Sequence, residues 1–182
     1  MRRSGRQAGF TLIEITAVVI LVALVASTAV VRLDGVLPST RVESVGRGIL
    51  ATMDLARTQA IARAQPFEVI LDFEEQRYGI RVPFDEEGML VPNQEDRQML
   101  SWNPLQDGAL LIGVLDARGE IVDTGTYPVV FDAQGAAQDL HLYLGLEDND
   151  DFELTLRVLA LTGIATVFQG HIEPQTLVEN DF

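Results

Sequence analysis

The sequence predicts an α+β protein, in which a long N-terminal helix leads into an antiparallel β domain. Three observations carry that prediction. Phe10 to Val31 is apolar around the whole circumference a helix would have. Val42, Val45, Ile49, Met53, Ala56 and Ala60 then recur at spacings of three and four, which is one face of an amphipathic helix. From Phe67 onward the apolar period drops towards two, and short alternating runs are separated by turn residues.

Length and charge narrow the function. At 182 residues the chain has room for one ordinary domain and something more. Its 13 basic side chains are all Arg, its acids number 27, and the net charge is −14. A surface this acidic repels a phosphate backbone, so nucleic acid is a poor candidate partner. Cysteine is absent, which excludes a disulfide framework, thiolate zinc sites and a Cys nucleophile. The apolar share of 47% is ample for a core but is concentrated near the N-terminus.

The first helix begins after Arg2, Arg3 and Arg6, which no nearby acid offsets. From Phe10 to Val31 the only ionisable group is Glu14. As a helix this stretch is about 33 Å long, enough to cross a hydrocarbon layer of about 30 Å. The positive-inside rule puts its N-terminal end in the cytoplasm and the rest of the chain across the membrane. A secretory signal peptide cut near Ser27-Thr28-Ala29 and a plain anchor both fit the charge pattern. Neither accounts for Glu14, because a carboxylate within an apolar span is costly and by default seeks a cation.

The run Gly9-Phe10-Thr11-Leu12-Ile13-Glu14 resembles the type III signal of type IV pilins and type II secretion pseudopilins. The resemblance implies cleavage after Gly9 by a prepilin peptidase and N-methylation of the new terminus at Phe10. It also implies that Glu14 meets the N-terminal amine of a neighbouring subunit during filament assembly. The physics agrees, since a buried carboxylate is tolerated when paired and penalised when its partner is missing.

The elements follow in order. Asp34-Gly35 and Pro38 interrupt the first helix, and Ser39 or Thr40 can restart it, with Thr40-x-x-Glu43 as a possible capping box. Glu43 and Arg47 stand in the favourable i, i+4 order, and Pro66 ends the helix. Strands are expected over 67–73 and 77–82, around the turn Glu74-Glu75-Gln76. Residues 83–108 read as a long variable loop with a short strand near Gln98 to Trp102. Further strands are expected over 110–115, 129–131, 140–144, 152–160 and 164–169. The predicted organisation is thus a cleaved leader at 1–9, a membrane and assembly helix at 10–33, its amphipathic continuation at 34–66, and a β-rich periplasmic domain at 67–182.

Three later stretches resemble the GspH/FimT group of minor pseudopilins. They are the helix end Ala56-Arg57-Thr58-Gln59-Ala60-Ile61-Ala62-Arg63 running straight into a strand, the stretch Phe131-Asp-Ala-Gln-Gly135, and the turn Leu161-Thr162-Gly163. Ile164 departs from the pattern, where a basic residue is expected. The resemblance implies a pilin-like fold and a single-pass inner-membrane protein with a periplasmic domain. The partners it implies are the prepilin peptidase, the major and other minor pseudopilins, and the inner-membrane assembly platform.

No enzyme motif appears: there is no nucleophile elbow, P-loop or His-Glu-x-x-His. His141 and His171 lack spaced partners and read as packing or surface residues. The acidic run at 147–151 is a weak calcium candidate through Asp148, Asp150 and Asp151, but it lacks the glycine and closing glutamate of an EF-hand. It reads first as a solvated turn, and no cofactor is expected. Two functions remain. One is a structural subunit of the periplasmic pseudopilus that assists export of folded proteins across the outer membrane. The other is a FimT-like minor type IV pilin in DNA uptake or pilus assembly. Losing the leader takes the charge from −14 to −17, and the tail beyond Arg157 is acidic, which favours secretion.

Overall fold

The computed structural model describes residues 11–33, 37–93, 96–106, 108–147 and 149–173. It divides into a unit ending at Leu37 and a compact unit beginning at Pro38. The first holds helix α1 (Leu12–Leu33). Among the described residues no helix is long and apolar enough to cross a membrane.

Helix α2 (Leu37–Arg63) opens the second unit. It begins at Leu37, ahead of Ser39 and Thr40, the two residues offered for its restart, so both lie within the first turn. Pro38 sits in that same turn, where its missing N–H leaves no helical bond unmade. All six residues of the predicted stripe, Val42 to Ala60, are buried, and Arg47 donates to Glu43 across 2.9 Å. The helix closes in a Schellman motif. The N–H of Gln65 bonds the Ala60 carbonyl at 3.2 Å, and that of Ala64 bonds the Ile61 carbonyl at 3.3 Å. Ala64 takes the left-handed position at φ 51°, a place usually held by glycine.

The β domain consists of two antiparallel sheets. One has the order β3-β2-β1-β6, built from β1 (Phe67–Asp72), β2 (Arg77–Arg81), β3 (Met99–Pro104) and β6 (Thr126–Phe131). The other has the order β5-β4-β7-β8-β9, built from β4 (Ala109–Leu115), β5 (Ile121–Val122), β7 (Leu140–Leu146), β8 (Asn149–Val158) and β9 (Ala165–Gln169). The chain leaves the first sheet after β3 and returns to it for β6. Strand existence matches the sequence reading apart from the two-residue β5. Strand β8 starts at Asn149, ahead of the expected start at 152, so most of the acidic run belongs to a strand. The expected loop over 83–108 contains β3 and a small bridge between Phe84 and Leu90.

One core joins the helix stripe to Phe67, Val69 and Leu71 of β1, Val129 and Phe131 of β6, and Leu142, Leu144, Leu154 and Leu156 of β7 and β8. Close approach of α2 to the second sheet depends on Gly46, where a Cβ would stand 2.5 Å from the Leu154 side chain.

Candidate assembly surface

The N-terminal residues that carry the processing reading, Gly9 and Phe10, lie outside the described residues. Glu14 is described and exposed, in the first turn of α1. Its backbone N–H points to the Thr11 hydroxyl at 3.4 Å and bonds the Thr11 carbonyl at 3.1 Å. Thr11-x-x-Glu14 therefore has capping-box spacing at the helix start, a local role the sequence reading missed although the motif is legible. Beyond it, Leu12 and Ile13 are 85% and 77% exposed, and the apolar residues from Ile15 to Val25 are about half exposed or more. An apolar helix with no buried side has to be covered by lipid or by other helices.

The three stretches that resemble minor pseudopilins meet at one point. Asp132 accepts from the N–H groups of Gln134 and Ala136 at 2.9 and 2.8 Å, which folds Phe131 to Gly135 into a tight turn. Gly135 lies against Ile61 of α2 and against Gly163 of the β8–β9 turn. Arg57 shares its Nε–H between the carbonyls of Thr162 at 2.6 Å and Gly135 at 3.3 Å. The cation at this turn thus comes from the helix, while Ile164, where a basic residue is expected, is 45% exposed.

On the opposite flank of α2 a half-open groove of about 510 Å³ runs between Leu55, Gln59 and Arg63 and the floor residues Phe67, Ile80 and Val82. Its outer wall is formed by Phe84, Asp85, Glu86, Gly88, Gln98 and Leu100. Arg63 lies over the rings of Phe67 and Phe84, 5.9 and 5.7 Å from their centroids. The wall is tied down from the other face of the sheet. Glu68, fully buried, faces Arg81 across the β1–β2 ladder and accepts its Nε–H at 2.6 Å. Its second oxygen pairs with Arg97 of the loop, which also donates to the carbonyls of Val91 and Pro92, each at 3.3 Å. The sequence signal for this cluster is an acid between the apolar Phe67 and Val69 of β1, and its partners come from outside that strand.

Asp72 lies opposite Arg77, four rungs along the same ladder from the Glu68–Arg81 pair. Burial pushes its carboxyl up, but the Glu75 N–H and the Arg77 guanidinium outweigh that and hold it below the usual range. His141 is buried in β7, and its Nε2 has no hydrogen-bond partner. Burial pushes its imidazole down, and the nearby Arg157 adds to that. His171 stacks on Tyr143 at 4.4 Å between centroids and bonds Glu153 at 2.8 Å. Among the described residues no group of acids and histidines could hold a metal. Asp148 lies outside the described residues, as do the side chains of Asp150 and Asp151.

The helix packed on two small antiparallel sheets, with an apolar helix ahead of it in sequence, is the pilin fold. A stretch of 70 residues is 34% identical to type II secretion system protein H of Xanthomonas campestris pv. campestris, covering 38% of this chain and 41% of that protein. The chain thus matches about two-fifths of that relative's length. Two structures of the minor pseudopilin EpsH from the type 2 secretion system of Vibrio cholerae superpose with TM-scores of 0.55 at 14% and 15% identity. They cover 73% and 74% of this chain and 99% of EpsH. The type IV minor pilin FimU of Pseudomonas aeruginosa superposes at 0.49 and 12% identity, over 71% of this chain and 89% of FimU. No protein-family model matches.

Proposed function

We propose that this chain is a minor pseudopilin, a structural subunit and not an enzyme, built into the periplasmic pseudopilus of a type II secretion system. The observation that carries the reading is the coupling of an EpsH-like domain to an exposed apolar helix with one acid, Glu14, in its first turn. In this reading a prepilin peptidase cuts between Gly9 and Phe10, and Phe10 is then N-methylated. Residues 10–33 span the inner membrane with the N-terminus cytoplasmic, and the domain lies in the periplasm. The partners are the major pseudopilin, the other minor pseudopilins and the inner-membrane assembly platform. Net charge weighs against the DNA-uptake alternative, since neither the domain nor its tail is basic.

Glu14 tests it. In a packed filament its carboxylate meets a neighbour's Phe10 amine, and breaking such a buried pair costs roughly 3–5 kcal/mol. Glu14→Leu removes a charge that is unfavourable in lipid, so membrane level and processing stay normal. Crosslinking to the major pseudopilin and secretion both fail. Wild-type crosslinking and secretion in this variant would refute the register role, and a mature chain that does not start at Phe10 would refute the processing.

A further inference from the structure

A sheet edge offers unpaired backbone groups to a passing strand, and shortness, proline, bulges and charge are the usual guards against this. The edges here are β3 and β6 of one sheet and β5 and β9 of the other. Strand β5 has only two residues, β6 carries Pro128 mid-strand, and β3 pairs through a register shift and ends in Pro104. Strand β9, Ala165-Thr-Val-Phe-Gln169, has none of these guards. It lies in the stretch from Val158 to Gly170, which contains no charged residue in a chain of net charge −14.

The open side of β9 is defined by its ladder. The Leu159 N–H bonds the Ile164 carbonyl at 3.0 Å, and the Gly170 N–H bonds the Glu153 carbonyl at 2.8 Å. Antiparallel pairs alternate, so Thr166 and Phe168 turn their N–H and C=O groups to β8, while Ala165, Val167 and Gln169 turn theirs away from it. Beside them a half-open cleft of about 260 Å³ is lined by Glu43, Arg47, Leu154, Val167 and Gln169. Its two charges cancel, because Arg47 pairs with Glu43 at 2.9 Å. The chain itself leaves this edge at once. After Gly170 it crosses the outer face of the sheet, where the Thr155 hydroxyl accepts from the Ile172 N–H at 3.2 Å and Tyr143 donates to the Ile172 carbonyl at 3.1 Å. Up to Glu173, the last described residue, it therefore runs over β8 and β7 and leaves β9 open.

We infer that β9 takes up an extended strand from a different subunit of the same filament, which adds to the second sheet beyond β9. Backbone geometry specifies the form of the occupant. Ala165, Val167 and Gln169 present N–H and C=O groups in one line at two-residue spacing, and another extended backbone answers all of them, whereas a helix answers none. Charge specifies its composition. The cleft is neutral overall and apolar at Val167 and Leu154, so the incoming strand is uncharged there and sets an apolar residue beside Val167. A minor subunit meets other chains and not its own kind, which makes the donor a different subunit. This contact rests on the reading of the chain as a filament subunit, and it adds to the role of α1 a contact made by the β domain alone.

The test uses the full-length chain in cells that assemble and secrete. A photo-crosslinking amino acid replaces Thr166 or Phe168, and the adducts are mapped by mass spectrometry. Both positions are expected to attach to one segment of one other pilin-like subunit, at sites two residues apart, because that is the period of a ladder. Val167→Pro removes an N–H that β8 does not use, so it is expected to melt like wild type and to lower the adduct several-fold. Gln169→Pro makes the same change at the next outward position and takes its place if Val167→Pro does not fold. A crosslinker at Ile20 of α1 reports assembly separately. Adducts from Ile20 with none from β9 would overturn strand addition alone, and no adduct from either would overturn the assembly reading with it. Strand addition is also overturned by adducts between two copies of this chain, by Thr166 and Phe168 sites that fall in unrelated segments, or by a folded proline variant that crosslinks like wild type.

Discussion

Arg57 of helix α2 donates its Nε–H to the carbonyl oxygen of Thr162, 2.6 Å away and 105 residues later in the chain. The same N–H is shared with the Gly135 carbonyl, whose oxygen is 3.3 Å from Nε, so one side chain ties the helix to two turns. A hydrogen bond from a charged donor contributes about 1.5–3 kcal/mol. Arg57→Met keeps the packing of the stem and removes the donor. It is expected to lower the urea midpoint at constant m-value, by a shift that corresponds to a loss of unfolding free energy within that range. An unchanged midpoint would show that solvent replaces the bond at no cost.

Gly163 has φ +60°, and a Cβ there would stand 2.1 Å from the Gly135 carbonyl oxygen. Gly125 has a similar φ of +66°, with nothing within 4 Å of its would-be Cβ. The pair separates backbone strain from steric contact. Gly125→Ala is expected to cost about 1–2 kcal/mol, the usual price of a left-handed alanine. Gly163→Ala is expected to cost clearly more, because two segments have to part. Equal losses in thermal melts would mean that the turns separate freely.

Glu68 is the buried anion between two guanidinium groups, and removing one partner of such a cluster leaves uncompensated charge. Glu68→Gln is expected to cost roughly 3–5 kcal/mol. It is also expected to release the wall of the groove, read as faster proteolysis between Phe84 and Arg97 than elsewhere in the domain. A uniform change in cleavage would show that the cluster stabilises the domain without holding the loop in particular.

His141 gives the domain a pH-dependent term. Its folded pKa is depressed by burial and by Arg157, so near pH 6.5 the unfolded chain binds a proton that the folded chain does not. Stability from this group is complete above about pH 6.5 and is lost as pH falls from there towards the folded value. Asp72 and Asp116 are depressed carboxylates, and their contribution is lost only at lower pH, below about 4. Between pH 7 and 5 the denaturation midpoint should therefore fall in wild type and fall less in His141→Leu. Parallel curves for the two proteins would assign the slope to other groups.

The sequence by itself determined what depends on neighbours along the chain. The stripe from Val42 to Ala60 is set by helical period, and all six residues are buried. The alternation from Phe67 marks the strands because successive side chains face opposite ways, and turn residues place the β1–β2 hairpin. The apolar run around Glu14 is likewise local. Tertiary structure decided what depends on pairing at long range. The split into two sheets follows from β6 returning to β1 after two strands have joined the other sheet, and no local signal encodes that choice. Glu68 reads in sequence as one acid in a strand. It becomes the anchor of a loop only because Arg81 lies opposite it and Arg97, 29 residues away, folds back over it. The Schellman end at Ala64 escaped the sequence reading for a different reason. Alanine rarely adopts a left-handed backbone, and here contacts beyond the helix hold it there, because burial of Phe67 and the start of β1 fix the path of the chain.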